Sequence, residues 1–213
     1  EKAHEIGLIN SYFQNATGWP HENHYMSLKD IAYLSKLIIK NFSEYYYLFA
    51  LNEFTYNDIQ QFNRNKLVSL DGYDGLKTGR TSQSGYGIAA STIREGRRIV
   101  SVVNGLNSDR ERLNETKKLV NWSFRAFVNY DLYKAEDPIQ FAKVWLGKES
   151  LVPLVLNEDL SVTIEKKNLN KFKIKLVYDT PILSPVNKGD KLAELHLIEG
   201  ENVIIKNIYA DKN

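Results

Sequence analysis

GLKTGRT, residues 75–81, places Lys77, Thr78 and Gly79 in succession and follows them with a second cation, Arg80. A β-strand of this sequence would fill little core volume. The sequence therefore favours an edge strand whose backbone and side chains face a ligand. There, Lys77 and the hydroxyl of Thr78 would bind a carboxylate. Gly79 would let a ligand backbone lie flat against the strand, and the N–H of Arg80 would form half of an oxyanion hole. Because these residue types are common, an ordinary polar strand end is the alternative.

The composition limits the classes of function that the chain can have. Its 213 residues are 43% hydrophobic, carry a net charge of +2 and include no cysteine. This length accommodates one large core or two modest ones. The charge is too small to indicate nucleic-acid binding, and the lack of cysteine excludes disulfides and thiolate catalysis. No run of about 20 apolar residues predicts a membrane-spanning helix. The polar opening EKAHEIG shows no signal segment, and we expect the chain to be part of a longer one.

The arginines indicate a division of the chain near Tyr130, because all eight of them precede residue 130. We therefore expect two domains, at residues 1–130 and 131–213. The first mixes helix and strand, as in an α/β (α+β) protein, and the second reads almost entirely as strands. Alternation such as Phe172-Lys173-Ile174-Lys175-Leu176 predicts half-buried strands and hence a small all-β sandwich. The predicted strands of this part cover residues 140–146, 151–156, 160–165, 172–176, 191–198 and 202–208.

The first part combines two capped helices with a three-stranded antiparallel sheet. Ser27 with Asp30, and Ser108 with Glu111, have the spacing of helix capping boxes. The predicted strands are residues 76–81, 86–92 and 98–106, with a hairpin turn at residues 94–97. The second helix would bury an apolar stripe made of Leu113, Val120, Phe124 and Phe127. A helix laid across an antiparallel sheet is the expected packing.

Several separate blocks of the chain resemble the low-molecular-mass penicillin-binding proteins, the serine D-alanyl-D-alanine carboxypeptidases. Lys-Thr-Gly is one of the sequence elements of serine penicillin-recognising enzymes. The other matching blocks, in the order and spacing of that family, are FQNATGWP (13–20), YMSLKDIAYLSKLI (25–38), FTYNDIQQFNRN (54–65), DGLKTGRTSQSGYGIAAS (74–91), RRIVSVVNGLNSDRERLNETKKLVNWSFRAF (97–127) and VWLGKES (144–150). The resemblance therefore covers nearly the whole chain.

The resemblance implies roles for several of these residues. Lys77, Thr78 and Gly79 match the triplet that binds the terminal carboxylate of a D-Ala-D-Ala peptide or of a β-lactam. Arg80 stands where several relatives carry histidine, so its side chain would alter substrate preference. Arg112 matches an arginine near the carboxylate pocket, with an ion pair to Asp109 or Glu115 as the alternative. Arg64 matches an arginine close to the cleft, although its flanking asparagines favour a hydrogen-bonded turn.

One part of the family's catalytic apparatus is absent from the sequence. The family needs a Ser-x-x-Lys motif, whose serine attacks the carbonyl while the lysine accepts its proton, and a Ser-x-Asn motif. Neither pattern occurs among the 213 residues. In the family both precede the FQNATG block, so we expect them in an N-terminal half of the same enzyme. The chain would then supply one wall of the active site, and by itself it would be inactive.

The histidines give only weak support for a metal site. His21 and His24 have ligand-like spacing, but Pro20 and Asn23 make their segment a loop, and His4 and His196 are isolated. We therefore predict neither a metal site nor a cofactor.

Three functions from different classes remain open at this point. The first is a D,D-carboxypeptidase that takes peptidoglycan stem peptides ending in D-Ala-D-Ala and is acylated by β-lactam antibiotics. The second is a β-lactam hydrolase or an inactive penicillin-binding relative, and the third is a non-enzymatic β-rich binding module. The resemblance also implies a periplasmic or otherwise extracytoplasmic protein at the outer face of the inner membrane. The amphipathic anchor helix of that family is not found in this chain.

Overall fold

The computed structural model describes residues 1–70 and 72–211. The chain divides into two compact units, Glu1–Phe124 and Arg125–Asn213. The boundary predicted between residues 130 and 131 falls a few residues after this division and stays a prediction. The last two residues of the predicted second domain lie outside the described part of the chain.

The first unit combines helices with short hairpins and one larger sheet. In chain order its elements are α1 (Lys2–Glu5), β1 (Ser11–Tyr12), β2 (Tyr25–Met26), α2 (Leu28–Asn41), a 3-10 helix (Ser43–Ala50), β3 (Glu53–Tyr56), β4 (Ile59–Phe62), a second 3-10 helix (Lys66–Ser69), β5 (Tyr73–Thr81), β6 (Gly85–Arg94), β7 (Arg97–Leu106) and α3 (Asp109–Ala126). Strands β5, β6 and β7 form the predicted antiparallel sheet, in that order.

The β6–β7 hairpin has the predicted turn. Arg94 pairs with Arg97, and the two residues between them, Glu95 and Gly96, have φ of 50° and 74°. Positive φ at both central positions is the mark of a type I′ turn, whose twist matches that of the strands.

Helices cover both faces of this sheet. Val120 of α3 is buried against Ile88 and Ala90 of β6, with Leu113 and Phe124 packed around them. A second cluster lies around Leu76 and Ala89, and hydrophobic residues of α2 pack against it: Ile31, Ile38 and Ile39. The predicted stripe on α3 is thus confirmed for three residues, but the inclusion of Phe127 was wrong. The helix ends at Ala126, and Phe127 begins a strand.

Both predicted capping serines accept the expected backbone hydrogen bond. The hydroxyl of Ser27 accepts from the N–H of Asp30 at 3.1 Å, and that of Ser108 accepts from the N–H of Glu111 at 3.1 Å. The carboxylates of the two capping boxes, those of Asp30 and Glu111, accept hydrogen bonds from residues that precede the capping serine and not from the N–H of the serine itself. Glu111 accepts from the N–H of Asn107 at 2.8 Å, one residue before the cap.

Asp30 fastens the start of α2 to strand β1. Its carboxylate, 3% exposed, accepts from the hydroxyl of Ser11 at 2.7 Å and from the N–H of Asn10 at 2.8 Å. These hydrogen bonds, above all the one from Ser11, lower the pKa of Asp30 below its usual value. Because the pKa is lower in the folded state, the stabilisation is present above the unfolded-state pKa. It is lost as the pH falls through the folded-state value.

We therefore expect Asp30→Asn to lower the free energy of unfolding of the complete protein at pH 7. The difference from wild type should begin to shrink as the pH falls below about 4, where Asp30 of the unfolded chain takes up a proton, and it should vanish only below the lower pKa of the folded state. Urea unfolding of both proteins at pH 7 and pH 3 measures this. An equal difference at the two pH values would show that the charge of Asp30 has no part in the effect.

The second unit is the predicted β-sandwich. Its elements are β8 (Phe127–Tyr133), β9 (Gln140–Trp145), β10 (Leu151–Val155), β11 (Leu160–Glu165), a 3-10 helix (Lys166–Lys171), β12 (Phe172–Val177), β13 (Ile182–Leu183), β14 (Lys191–Glu199) and β15 (Asn202–Ala210). All six predicted strands are present. A six-stranded sheet has the order β12-β14-β15-β10-β9-β13, and β11 pairs with β8 in a second sheet. The buried side chains of the two sheets share one core, which includes Leu154, Leu160, Leu195 and Ile208.

Strand β8 determines where this unit can be cut from the rest. It pairs with β11 from Phe127, opposite Glu165, to Tyr133, opposite Leu160. We expect residues 125–213, expressed alone, to fold with a strand-type circular dichroism spectrum and to bind no penicillin. A version starting at residue 132 loses most of β8, so its melting temperature should be lower. A helical spectrum for residues 125–213 would contradict the assignment of an independent β-domain.

Candidate active site

The triplet Lys77-Thr78-Gly79 lies in β5, at the edge of the three-stranded sheet. Among the described residues, β5 pairs only with β6, so its other edge is open. Lys77 is exposed, and its Nζ donates to the carbonyl oxygen of Thr78. Thr78 itself is 7% exposed and lies opposite Ile88 of β6. The cation therefore lies beside the backbone of the residue that follows it, with no carboxylate within ion-pairing distance in the described part of the chain.

Gly79 leaves free space in front of the strand. A Cβ added at this position would meet no heavy atom of the described residues within 4 Å. At its cross-strand partner, Gly87, an added Cβ would instead run into the side chain of Asn104 and the carbonyl oxygen of Val103. The absence of a side chain at Gly87 is thus explained by packing within the sheet. The absence of a side chain at Gly79 is not, which leaves room there for an external group.

A cavity of about 280 Å³ opens beside the triplet. Its walls come from α2 and from all three strands of the sheet: Leu28, Ile31, residues 77–81, Ser84, residues 87–89 and residues 102–104. The wall away from the triplet is apolar, whereas Lys77, Arg80, Ser84 and Asn104 supply polar groups. Such a combination suits a ligand with an anionic end and an apolar part.

Arg80 and Arg112 lie against the same aromatic ring. The guanidinium carbon of Arg80 is 4.8 Å from the ring centroid of Tyr86, its cross-strand partner, and that of Arg112 is 5.6 Å away. Cation–π contacts at these distances orient a guanidinium without neutralising it. No carboxylate within 4.0 Å of Arg80 is found among the described residues. The site therefore has one guanidinium, that of Arg80, without a carboxylate partner among the described residues, beside the Asp109-paired guanidinium of Arg112.

Arg112 is buried, at 6% exposure, and reaches from α3 to the hairpin that carries the triplet. Its Nη1 donates to the carbonyl oxygens of Gly79 and Gly87, each at 3.3 Å, and its Nη2 forms an ion pair with Asp109. Arg112 is thus ion-paired with Asp109 of its own helix and also lies at the triplet, and its role in carboxylate binding stays a prediction. Its Nε is buried without a hydrogen-bond partner in the described structure.

Arg64 lies in the hydrogen-bonded turn that its flanking asparagines predict. The side chain of Asn63 accepts from the N–H of Asn65 at 2.9 Å, and that of Asn65 donates to the carbonyl oxygen of Gly75 at 2.9 Å. This turn supports the beginning of β5. Arg64 itself is exposed and is not among the described residues that line the cavity.

Two residues of this site were not anticipated from the sequence. Tyr86 holds both guanidinium groups, and Asn104 lines the cavity behind Gly87. The position of Tyr86 could have been predicted from strand pairing, because the register of the β5–β6 hairpin places Tyr86 opposite Arg80. The position of Asn104 depends on the irregular register between β6 and β7 near Tyr86 and Ile88, which a pattern of apolar residues does not encode.

The described residues near the triplet include hydroxyls but no serine with a lysine three residues later. Ser84 lines the cavity, and its hydroxyl lies 2.6 Å from that of Thr81. The loop histidines make local contacts, since Nδ1 of His24 accepts from the N–H of Gln14 and Nδ1 of His21 from the N–H of Asn23. No group of three metal-ligating side chains occurs in the part of the chain that was described.

Two family models match the chain. The Peptidase_S11 model, described as D-alanyl-D-alanine carboxypeptidase, matches residues 1–108 and so includes the triplet. The model of the C-terminal domain of penicillin-binding protein 5 matches residues 127–213.

Curated proteins and solved structures agree with these matches. D-alanyl-D-alanine carboxypeptidase DacC of Escherichia coli (strain K12) is 37% identical over 190 residues, which are 88% of this chain and 48% of that protein. The chain spans about half the length of the curated relatives it matches. Penicillin-binding protein 5 from Haemophilus influenzae superposes with a TM-score of 0.90 at 30% identity, over 100% of this chain and 63% of that one. Penicillin-binding protein D2 from Listeria monocytogenes, solved in an ampicillin-bound form, superposes with a TM-score of 0.54 at 27% identity, over 58% of this chain and 52% of its own.

Proposed function

Because the chain belongs to the Peptidase_S11 family of D-alanyl-D-alanine carboxypeptidases, we propose that the complete protein is a serine-type D-alanyl-D-alanine carboxypeptidase. It removes the terminal D-Ala from peptidoglycan pentapeptides through an acyl-enzyme. The observation that carries this proposal is the position of Lys77-Thr78-Gly79 on an open strand edge, beside a cavity that is apolar on its other side.

Residues 77–80 of β5 bind different parts of the substrate. The ammonium of Lys77 and the hydroxyl of Thr78 bind the terminal carboxylate of the substrate. The peptide backbone lies along the open edge at Gly79, where an added side chain would project into the space that the substrate needs. The N–H of Arg80 donates to the oxygen that becomes negative when the scissile carbonyl is attacked.

The two arginines contribute in different ways. The guanidinium of Arg80, held on Tyr86 and exposed, adds positive charge where the carboxylate binds. Arg112 holds the carbonyl oxygens of Gly79 and Gly87 and so keeps the edge of β5 in position, while its charge also favours an anion. Arg64 acts indirectly, through the turn that hydrogen-bonds to Gly75.

The nucleophile comes from outside these 213 residues, since the sequence contains no Ser-x-x-Lys. In the proposed reaction the serine oxygen attacks the carbonyl of the penultimate D-Ala, and the lysine of the same motif takes the proton. The proton passes to the leaving nitrogen, D-Ala departs, and water then hydrolyses the ester. A β-lactam enters the same site by its carboxylate and leaves a slowly hydrolysed acyl group on the serine.

The family and the proposed substrate support a location outside the cytoplasmic membrane, where peptidoglycan is found. Within the described residues, no helix has both the length and the apolar content needed to cross a membrane.

Two assays on the complete protein test this function. D-alanine release from a D-Ala-D-Ala pentapeptide, together with covalent labelling by a fluorescent penicillin, is the expected result. Rapid turnover of penicillin without D-alanine release would indicate a β-lactam hydrolase instead. Labelling without turnover of either compound would indicate an inactive relative. The absence of both labelling and D-alanine release would favour a non-enzymatic binding module.

Substitution of Gly79 by alanine separates ligand binding from folding. Because an added Cβ meets no heavy atom within 4 Å among the described residues, we expect the melting temperature of Gly79→Ala to stay at the wild-type value. Acylation by penicillin should fall about ten-fold or more, since small displacements of a substrate from its reactive position have large effects. Gly87→Ala is the matched control, because its Cβ would collide with Asn104 and should lower the melting temperature. Unchanged acylation in Gly79→Ala would mean that no substrate lies against this edge.

A further inference from the structure

The outer face of the six-stranded sheet in the second unit has an unusual composition near β12. The core lies on the other face, where Leu195 and Leu197 of β14 are buried. In a sheet with one covered face, the uncovered face is expected to be polar. Strand β12 follows this rule and places Lys173 and Lys175 there. Strand β15 does not, because Val203 and Ile205 are 50% and 51% exposed.

The strand register places these residues in two neighbouring rows. Lys173 lies opposite Ile198, which lies opposite Val203, so these three form one row across the sheet. Lys175, His196 and Ile205 form the next. Directly opposed residues of antiparallel strands share a face, and their Cβ atoms are about 5 Å apart. The two lysines and the two exposed aliphatic side chains therefore lie on one surface, with Ile198 and His196 of β14 between them.

Positive charge extends beyond the two rows. Residues 166–175, KKNLNKFKIK, contain five lysines and no acidic residue. Lys167 forms an ion pair with Glu165, but no carboxylate lies within 4.0 Å of Lys173 or Lys175 in the described structure. The surface therefore favours an anionic partner.

We propose that this face, defined by Lys173, Lys175, Ile198, Val203 and Ile205, docks onto a membrane surface that contains anionic lipids. The lysines lie at the level of the phosphate groups, and the aliphatic side chains enter the boundary between headgroups and acyl chains. Both kinds of residue contribute to such binding, through charge and through buried apolar area. An anionic polysaccharide or nucleic acid would use the lysines alone and would leave the exposed aliphatic side chains in water.

Vesicle co-sedimentation of the complete protein tests the proposal. We expect binding to vesicles of phosphatidylglycerol and phosphatidylcholine, little binding to pure phosphatidylcholine, and weaker binding as salt is raised. Lys173→Ala with Lys175→Ala should lower the partition coefficient about 25-fold, or about five-fold per lysine. Val203→Ser with Ile205→Ser should lower it about ten-fold. Lys36→Ala with Lys40→Ala, which removes the same charge from exposed positions on α2, should leave binding unchanged.

Three outcomes would overturn the proposal. Equal binding to neutral and anionic vesicles would indicate non-specific adsorption of exposed apolar side chains. Vesicle binding would then also fall in a variant with Phe141→Ser and Trp145→Ser, since both of these residues are exposed. Wild-type binding of anionic vesicles by the Val203→Ser and Ile205→Ser variant would show that charge is the only contribution, as expected for a surface that binds a soluble polyanion. No binding to either vesicle type would exclude a membrane role for this face. Circular dichroism of each variant checks that it is folded.

Discussion

Replacing Lys77 by alanine in the complete protein should reduce acylation by penicillin roughly one-hundred-fold or more. Lys77 is expected to bind the ligand carboxylate beside Thr78, at the edge of the cavity. Removal of one partner from a partly buried ion pair leaves the other charge without compensation, which costs a few kcal/mol. Second-order rate constants for fluorescent penicillin measure the effect directly.

Two further variants show whether the loss at Lys77 is specific. Lys118, an exposed lysine that pairs with Glu115 on α3, is a suitable control, and Lys118→Ala should acylate at the wild-type rate. Lys77→Arg should recover part of the activity, since it keeps the charge but changes its position. Wild-type acylation by Lys77→Ala would show that β5 is not part of the active site.

The 213-residue chain alone should have no catalytic activity. Lys77, Thr78 and the N–H of Arg80 can orient a carboxylate and stabilise an oxyanion, but no serine of the chain has a lysine one turn later to activate it. The first unit also has a mainly apolar cavity of about 760 Å³ between α2 and β7, lined by Ile9 and Tyr33 among others. Ile9 is 70% exposed. Uncovered apolar surface of this size lowers stability, so we also expect this unit to be poorly ordered by itself.

Incubation of the isolated chain with fluorescent penicillin and, separately, with a D-Ala-D-Ala peptide tests this expectation. The complete protein is the positive control. Covalent labelling of the isolated chain, or D-alanine release above the blank, would reveal a nucleophile among these residues. Ser84 would then be the first to replace, because its hydroxyl lines the cavity beside the triplet.

The strands of the second unit were predictable because their side chains alternate between core and solvent. Phe172 to Leu176 is an example, and its strand pairs with β14 as the alternation requires. Strand β8 was missed because residues 127–130 continue the apolar spacing of α3 without a break. What ends the helix at Ala126 is pairing with β11, more than 30 positions later, and local sequence does not encode such a partner.

The candidate site was predictable where it depends on a contiguous motif. Lys77, Thr78 and Gly79 could be read from seven residues, and the fold places them on an open edge beside a cavity. Arg112 was found by resemblance, but its contacts with the carbonyl oxygens of Gly79 and Gly87 depend on how α3 crosses the sheet. That crossing is a tertiary property, set by the packing of Val120 against Ile88 and Ala90.

A crystal structure of the complete protein after reaction with ampicillin would test the central claim most directly. We expect an acyl group on a serine outside these 213 residues. The ampicillin carboxylate should lie within hydrogen-bonding distance of the hydroxyl of Thr78, and the acyl carbonyl oxygen should accept from the N–H of Arg80. An acyl group whose carboxylate and carbonyl make no contact with β5 would show that β5 is not part of the active site.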